Sequence, residues 1–199
     1  MRDFIPYGRQ EIDESDIDAV VEVLRGDWLT QGPAVPRFEE AVAEYVGAEY
    51  AVAFSSGTAA LHGAAFAAGL RPGDRVVTSP LTFMASANCA RYVGANPELV
   101  DIDRSTWNLD PAGIVSRPAA VVAVHYAGLP ANLTAIQGRT DCVIEDAAHA
   151  LGASTPDGLI GNGARSDLCC FSFHPVKPIT TAEGGMVTTN NPVLADRLR

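Results

Sequence analysis

Lys177 is the only lysine in this 199-residue chain, in which lysine and arginine together number 14. Arginine meets every other cationic need. What a guanidinium does not do is give up a proton and attack an aldehyde carbon. A lysine set in a crevice can have its pKa lowered until its amine serves as nucleophile and base. Lys177 stands in Ser172-Phe-His-Pro-Val-Lys177-Pro, with Ser172 and His174 close by and Ile-Thr-Thr-Ala-Glu-Gly-Gly185 following. By itself this is also what a solvated loop lysine looks like.

Three other stretches carry residue types that suit chemistry. Ser55-Ser-Gly-Thr-Ala-Ala-Leu61 follows an apolar run and opens an Ala-rich segment. A helix starting there points backbone N–H groups, its dipole and the Thr58 hydroxyl at one spot, a natural seat for phosphate; a plain Ser/Thr cap has the same appearance. Thr78-Ser-Pro-Leu-Thr-Phe83 puts Phe83 at the next such junction, as a cover for a planar ring or as a core residue. Glu145-Asp-Ala-Ala-His149 brings two carboxylates to the end of an apolar run. Buried carboxylates are costly unless something cationic faces them, such as a protonated heterocyclic nitrogen or a metal.

The elements that must position these residues follow from the apolar pattern. Asp13 or Ser15 caps an expected helix over 16–24 that Gly26 stops, and a second helix runs roughly from Pro36 to Val46 with Gly47 as its stop. From residue 50, short apolar runs alternate with longer Ala-rich or amphipathic stretches. The runs are 50–54, 75–78, 98–102, 119–125, 142–145, 168–173 and 185–189; crossover helices are expected around 58–68, 83–93 and 130–138, and a helix starts at 193. The runs are continuous rather than alternating, as in strands covered on both faces. The expected fold class is therefore α/β, a mostly parallel sheet flanked by helices, with ligands outside the carboxyl ends of the strands. Four stretches at four strand ends then describe one ligand: an anion cradle, an aromatic cover, a carboxylate for a ring nitrogen and a lysine for a carbonyl. That ligand is pyridoxal 5′-phosphate.

Composition sets the outer limits. Apolar residues make up 47% and charged residues 19% of the chain, which excludes wholesale disorder. A net charge of −10 argues against a protein that coats nucleic acid or an anionic membrane. The start, MRDFIPYGRQ, has no apolar core of signal-peptide length and no later run approaches a membrane span, so a cytoplasmic address is expected. Cys142, Cys169 and Cys170 lie in apolar runs and are expected buried and reduced. Trp28 and Trp107 are expected to pack.

Ser56-Gly-Thr-Ala-Ala-Leu61, Glu145-Asp-Ala-Ala-His149 and Ser172 to Gly185, in this order, resemble the PLP-dependent sugar-nucleotide aminotransferases of the DegT type over essentially the whole chain. His-Pro-Val-Lys-Pro-Ile-Thr is most similar to the branch that aminates C4 of a UDP-linked 4-keto-6-deoxy N-acetylhexosamine on the route to pseudaminic acid. The resemblance implies the large domain of a fold type I transferase. It implies Lys177 as the amine that condenses with the cofactor's aldehyde and later moves the proton, and Asp146 as the partner of the ring nitrogen. Phe83 and Ala148 are implied against the two ring faces, Gly57, Thr58 and Ser172 at the phosphate, and His149 near the phenolic oxygen. Tyr7, Thr30 and His174 are expected on the substrate side. The implied partners are an amino acid donor, glutamate or glutamine, a nucleotide-linked keto-sugar, and a second copy of the chain in a homodimer.

Family members are nearly twice as long. The expectation is an N-terminal portion: a substrate-side segment over 1–49, an incomplete cofactor-binding α/β domain over 50–199, and no C-terminal small domain. Two other readings stand beside it. One is a catalytically silent fragment of such an enzyme. The other is a metal-dependent hydrolase gathering His125, Asp146, His149 and His174 round zinc, although no HExxH spacing supports it and Lys177 is left without a role.

Overall fold

The structure, a computed structural model, describes residues 8–199, so Tyr7 lies outside the described residues. Helix α1 (Glu14–Arg25) starts at Asp13, whose carboxylate accepts from the N–H groups of Ser15 and Asp16 while the Asp16 carboxylate accepts from the N–H of Asp13. This is a reciprocal capping box, and no residue of α1 is buried. Helix α2 (Ala34–Val46) begins two residues before the expected start at Pro36. A proline in the first turn gives up an N–H that has no intrahelical partner anyway. Gly47 ends α2 at φ +81°, the left-handed stop that glycine adopts without steric cost.

The alternation then follows: β1 (Tyr50–Phe54), α3 (Gly57–Ala67), β2 (Arg75–Thr78), α4 (Ala85–Tyr92), β3 (Asn96–Leu99), β4 (Ala120–Val124), α5 (Leu133–Gln137) and β5 (Val143–Asp146). A small ribbon of β6 (Ser154–Thr155) and β7 (Gly158–Leu159) precedes β8 (Leu168–Ser172), β9 (Gly185–Thr189) and α6 (Pro192–Leu198). The main sheet has seven strands in the order β1-β9-β8-β5-β4-β2-β3. The pairs β2–β3, β2–β4, β4–β5 and β5–β8 are parallel, and β9 runs antiparallel to both of its neighbours. The mostly parallel α/β architecture expected from the apolar runs is what forms. Its consequence for function is geometric: β1, β2, β4, β5 and β8 all deliver their carboxyl ends to one edge, where β9 begins.

The third strand differs from its expected span of 98–102, starting at Asn96 and taking in Pro97. β3 lies at the sheet margin, so Pro97 needs no partner for its missing N–H on the open side. Trp28 and Trp107 do not pack as expected; they are 64% and 52% exposed. Trp107 sits in the left-handed region at φ +62° and lies 5.7 Å, centroid to centroid, from the Tyr126 ring.

Apolar groups on both sides of the sheet hold it in place. On one side Ala60, Ala64 and Ala65 of α3 pack with Ile144, Leu168 and Val187; the small side chains bring α3 close to the strands. On the other side Val42 and Val46 of α2 join Phe171 and Met186, with Phe38 edge-on to Phe173 at 5.1 Å between centroids. The four cysteines are free, three of them buried and Cys142 partly so. Burial pushes all four thiols up, Cys89 to about 12, which keeps them protonated and unreactive. Among the described residues no helix is long and apolar enough to cross a membrane.

Candidate active site

A cavity of about 610 Å³ opens at the edge where the strand ends converge. Its lining includes Gly57, Thr58, Phe83, Asp146, Ala148, His149, Ser172, His174 and Lys177. Nine residues expected from sequence to share a site therefore do so. Thr30 does not: it is exposed in the turn between α1 and α2, away from this lining. Tyr7 falls outside the described residues.

The α3 end of the cavity is built by close approach. Ser56 caps α3 by accepting from the Ala59 N–H at 3.1 Å, which leaves Gly57 and Thr58 as the first helical residues. A Cβ on Gly57 would stand 2.7 Å from the Ser172 Cβ, so only glycine lets the helix start meet the end of β8. On the β9 side, a Cβ on Gly185 would collide with the Ser56 carbonyl. The first N–H groups of α3 and the hydroxyls of Thr58 and Ser172 thus gather at one wall, the donor set that an anion needs.

Asp146 lies at the end of β5 and is buried. Its Oδ2 accepts from the Ser86 hydroxyl at 2.5 Å and its Oδ1 from the Ala148 N–H at 3.3 Å. None of the ion pairs among the described residues involves it. A buried carboxylate that lines a cavity and forms no ion pair within the protein is suited to a cation supplied by a ligand. Glu145, its neighbour in sequence, takes no part, because successive strand residues face opposite ways.

Phe83 is 67% exposed although it lines the cavity, which excludes a core role for it. Ala148, whose side chain is too short to fill space, lines the cavity as well.

Lys177 is held in the β8–β9 loop, whose base is pinned by Phe173 N–H to Gly184 O at 2.9 Å and Thr181 N–H to Phe173 O at 3.0 Å. Its Nζ lies 2.7 Å from His149 Nε2. Burial lowers the Lys177 pKa, against the opposing charge of Asp146. Burial and then the Lys177 charge lower that of His149, again against Asp146. A neutral imidazole offers Nε2 as an acceptor, and the amine donates to it. The unprotonated amine is the nucleophile, so a lowered pKa raises its share at neutral pH. With one lysine in the chain this is directly measurable. Acylation of Lys177, followed by peptide mass, should rise with pH through a midpoint below the 10.5 of an ordinary lysine. A midpoint at the ordinary value would mean a fully solvated amine.

The zinc reading loses its ligands. His125 Nδ1 accepts from the Ala131 N–H at 2.9 Å, which puts the ring proton on Nε2, 2.7 Å from Glu145 Oε2. Both nitrogens are used inside the protein, and among the described residues no three His, Cys, Asp or Glu side chains gather as a cation site.

The strand-end argument missed Tyr126, which lines the cavity just after β4, and Glu183, which lines it just before β9. The signal for Tyr126 was its place after a fully apolar run. Ser86 was missed because its partner, Asp146, is sixty positions away in sequence.

Comparison with known proteins gives this geometry its context. Residues 10–199 match the model of the DegT/DnrJ/EryC1/StrS aminotransferase family. The chain is 43% identical over 204 residues to the spore coat polysaccharide biosynthesis protein SpsC of Bacillus subtilis (strain 168), covering 98% of this chain and 52% of that protein. It is similar to Helicobacter pylori PseC, an aminotransferase involved in the biosynthesis of pseudoaminic acid, with TM-score 0.89 and 32% identity over 97% of this chain and 54% of that one. A Streptococcus pneumoniae protein solved in PLP and PMP forms superposes with TM-scores of 0.90 and 0.91 at 29% identity, over 98% of this chain and 56% of that one. The chain spans about half the length of the curated relative it matches. The family's cofactor is pyridoxal phosphate. By the extent of the family match, and by its agreement with a cavity that joins Lys177, Asp146 and the start of α3, the chain belongs to the DegT/DnrJ/EryC1/StrS aminotransferase family.

Proposed function

We propose that this chain carries the cofactor-binding half of an aminotransferase that moves an amino group from an amino acid, L-glutamate by preference, to C4 of a nucleotide-linked 4-keto-6-deoxy sugar. In this reading residues 50–199 hold the cofactor and residues 1–49 lie on the substrate side, in a cytoplasmic homodimer. The observation that carries the reading is the placement of the one lysine and one buried carboxylate that forms no ion pair on the same cavity, with a helix start at its wall.

The residues present fit the cofactor, since phosphate, ring nitrogen and aldehyde each find a complementary group. Pyridoxal phosphate bound there supplies an aldehyde for amine exchange and an electron sink for removal of the donor's α-proton. Gly57 N–H and the Thr58 and Ser172 hydroxyls would hold the phosphate. Asp146 would keep the ring nitrogen protonated. Phe83 and Ala148 would confine the ring, with Phe83 excluding water from the open side. Lys177 Nζ would take the α-proton and return it, and His149 Nε2, 2.7 Å away, would hold that amine in place.

For the sugar, support comes from the similarity to PseC and from the wording around Lys177. The similarity to a protein solved in the presence of its TDP-sugar product, with TM-score 0.85 and 35% identity, supports a nucleotide-linked acceptor.

The test is direct. Pyridoxal phosphate added to the protein should give a yellow species, and borohydride should bleach it and leave the cofactor on the peptide that contains Lys177. A protein that stays colourless, or a label on any other residue, overturns the reading. Conversion of glutamate to 2-oxoglutarate with a 4-keto-6-deoxy nucleotide sugar, but not with its 4-hydroxy counterpart, would establish the acceptor.

A further inference from the structure

We propose that Ser86 is a positioning residue for the Asp146 carboxylate, the last link of a hydroxyl chain Thr82→Ser86→Asp146 that holds the carboxylate aimed at the cavity. The proposal rests on the reading of Asp146 as the partner of a ring nitrogen, and it adds Ser86 and a role for Thr82 to that site.

Ser86 is fully buried, in the first turn of α4. A serine so placed ordinarily bonds a carbonyl of the preceding turn, and the Phe83 carbonyl is within 3.1 Å of its oxygen. Asp146 Oδ2 is nearer, at 2.5 Å. The hydroxyl has a single proton, and a charged acceptor forms the shorter and stronger bond. The proton therefore goes to Asp146. Thr82 Oγ1 lies 2.6 Å from Ser86 Oγ, and with the serine proton committed the threonine hydroxyl is the donor. Each hydroxyl polarises the next toward the carboxylate.

This arrangement has two effects. Asp146 Oδ2 is occupied, and Oδ1 receives only the long contact from Ala148 N–H, so the remaining acceptor capacity belongs to Oδ1. Thr82 and Ser86 also bracket Phe83 in sequence, so one hydrogen-bonded turn sets both the aromatic cover and the carboxylate below it. A serine needed only for packing would require neither partner.

The test is carried out first without cofactor. In the carbon-13 spectrum of the cofactor-free protein at one fixed pH, with the Asp146 signal identified by its loss in Asp146→Asn, Ser86→Ala should displace the Asp146 carboxyl signal, because Oδ2 loses its hydroxyl donor. Ser86→Thr, which keeps the hydroxyl, should restore the wild-type position. Thr82→Val removes only the upstream donor and should displace the Asp146 signal in the same direction by less, and it serves if Ser86→Ala does not fold. With pyridoxal phosphate, Ser86→Ala should retain the cofactor about tenfold less well. An unmoved Asp146 signal in both Ser86→Ala and Thr82→Val overturns the proposal even if the wild type binds the cofactor. A displaced signal in these variants of a protein whose wild type binds no cofactor upholds the chain of hydroxyls and sinks the aminotransferase reading instead.

Discussion

On the proposed aminotransferase reading, Lys177→Arg should lower the rate of amino transfer by about three orders of magnitude or more, with the melting temperature nearly unchanged. The size follows from what arginine cannot do. Proton transfer by a positioned side chain contributes roughly 10²- to 10⁴-fold, and the covalent role of an amine adds to that. A guanidinium stays protonated at any pH the fold survives, so it neither condenses with an aldehyde nor accepts an α-proton. The fold, in contrast, loses nothing it relies on. The loop is closed by the backbone bonds of Phe173 and Thr181, and the partly buried Lys177 side chain ends in a cavity rather than in the packed core, so the change should cost about 1 kcal/mol or less. Lys177→Ala provides the chemical control: it leaves space in the cavity, and an added small primary amine should restore part of the proton transfer there but not in Lys177→Arg. Stopped-flow measurement of the half-reaction with glutamate, alongside calorimetry, separates the two effects. A Lys177→Arg protein within tenfold of wild type would end the assignment of this residue.

The same residues show how far the sequence could be read. The alternation of apolar runs with helical stretches was enough for a parallel sheet, and the strand-end rule pointed to Thr58, Phe83, Asp146 and Lys177, which line one cavity; Gly57, Ala148, His149 and His174 came with the family resemblance and line it too. It succeeded because each signal is local: a residue two to five positions past a buried run must emerge at the carboxyl edge. What it did not contain is contact between distant segments. Glu145 and Asp146 read as one acidic pair, yet period-two geometry separates them, sending Asp146 to the cavity and Glu145 to His125. Ser86 looks like an ordinary helical serine until α4 is laid beside β5. Phe83 could be core or cover, because both use an apolar ring at a junction; only its exposure decides. Thr30 was assigned by resemblance alone, with no periodicity to anchor it, and it lies off the cavity.

His125→Leu should destabilise the protein by about 3–5 kcal/mol, more than any other single change in the buried polar network. The His125 and Glu145 side chains are both buried, 2.7 Å apart, and Ser166 Oγ donates to the other Glu145 oxygen. Because His125 Nδ1 accepts a backbone N–H, the ring proton sits on Nε2 and is donated to Glu145 Oε2. Removing the histidine leaves the buried Glu145 carboxylate with one hydroxyl for company and also deprives the Ala131 N–H of its acceptor. Removing the carboxylate strands only a neutral N–H, at about 1–3 kcal/mol. The order expected is therefore His125→Leu worst and Glu145→Leu intermediate, with Glu145→Gln, which still accepts the imidazole proton, mildest. At roughly 2–4 °C per kcal/mol for a chain of this size, His125→Leu should lower the melting temperature by roughly 6–20 °C. The double variant His125→Leu with Glu145→Leu should be more stable than His125→Leu alone, since an apolar pair replaces a lone buried charge. It should still fall short of wild type because the Ala131 N–H remains unpaired. Equal losses in the two leucine singles would overturn this order.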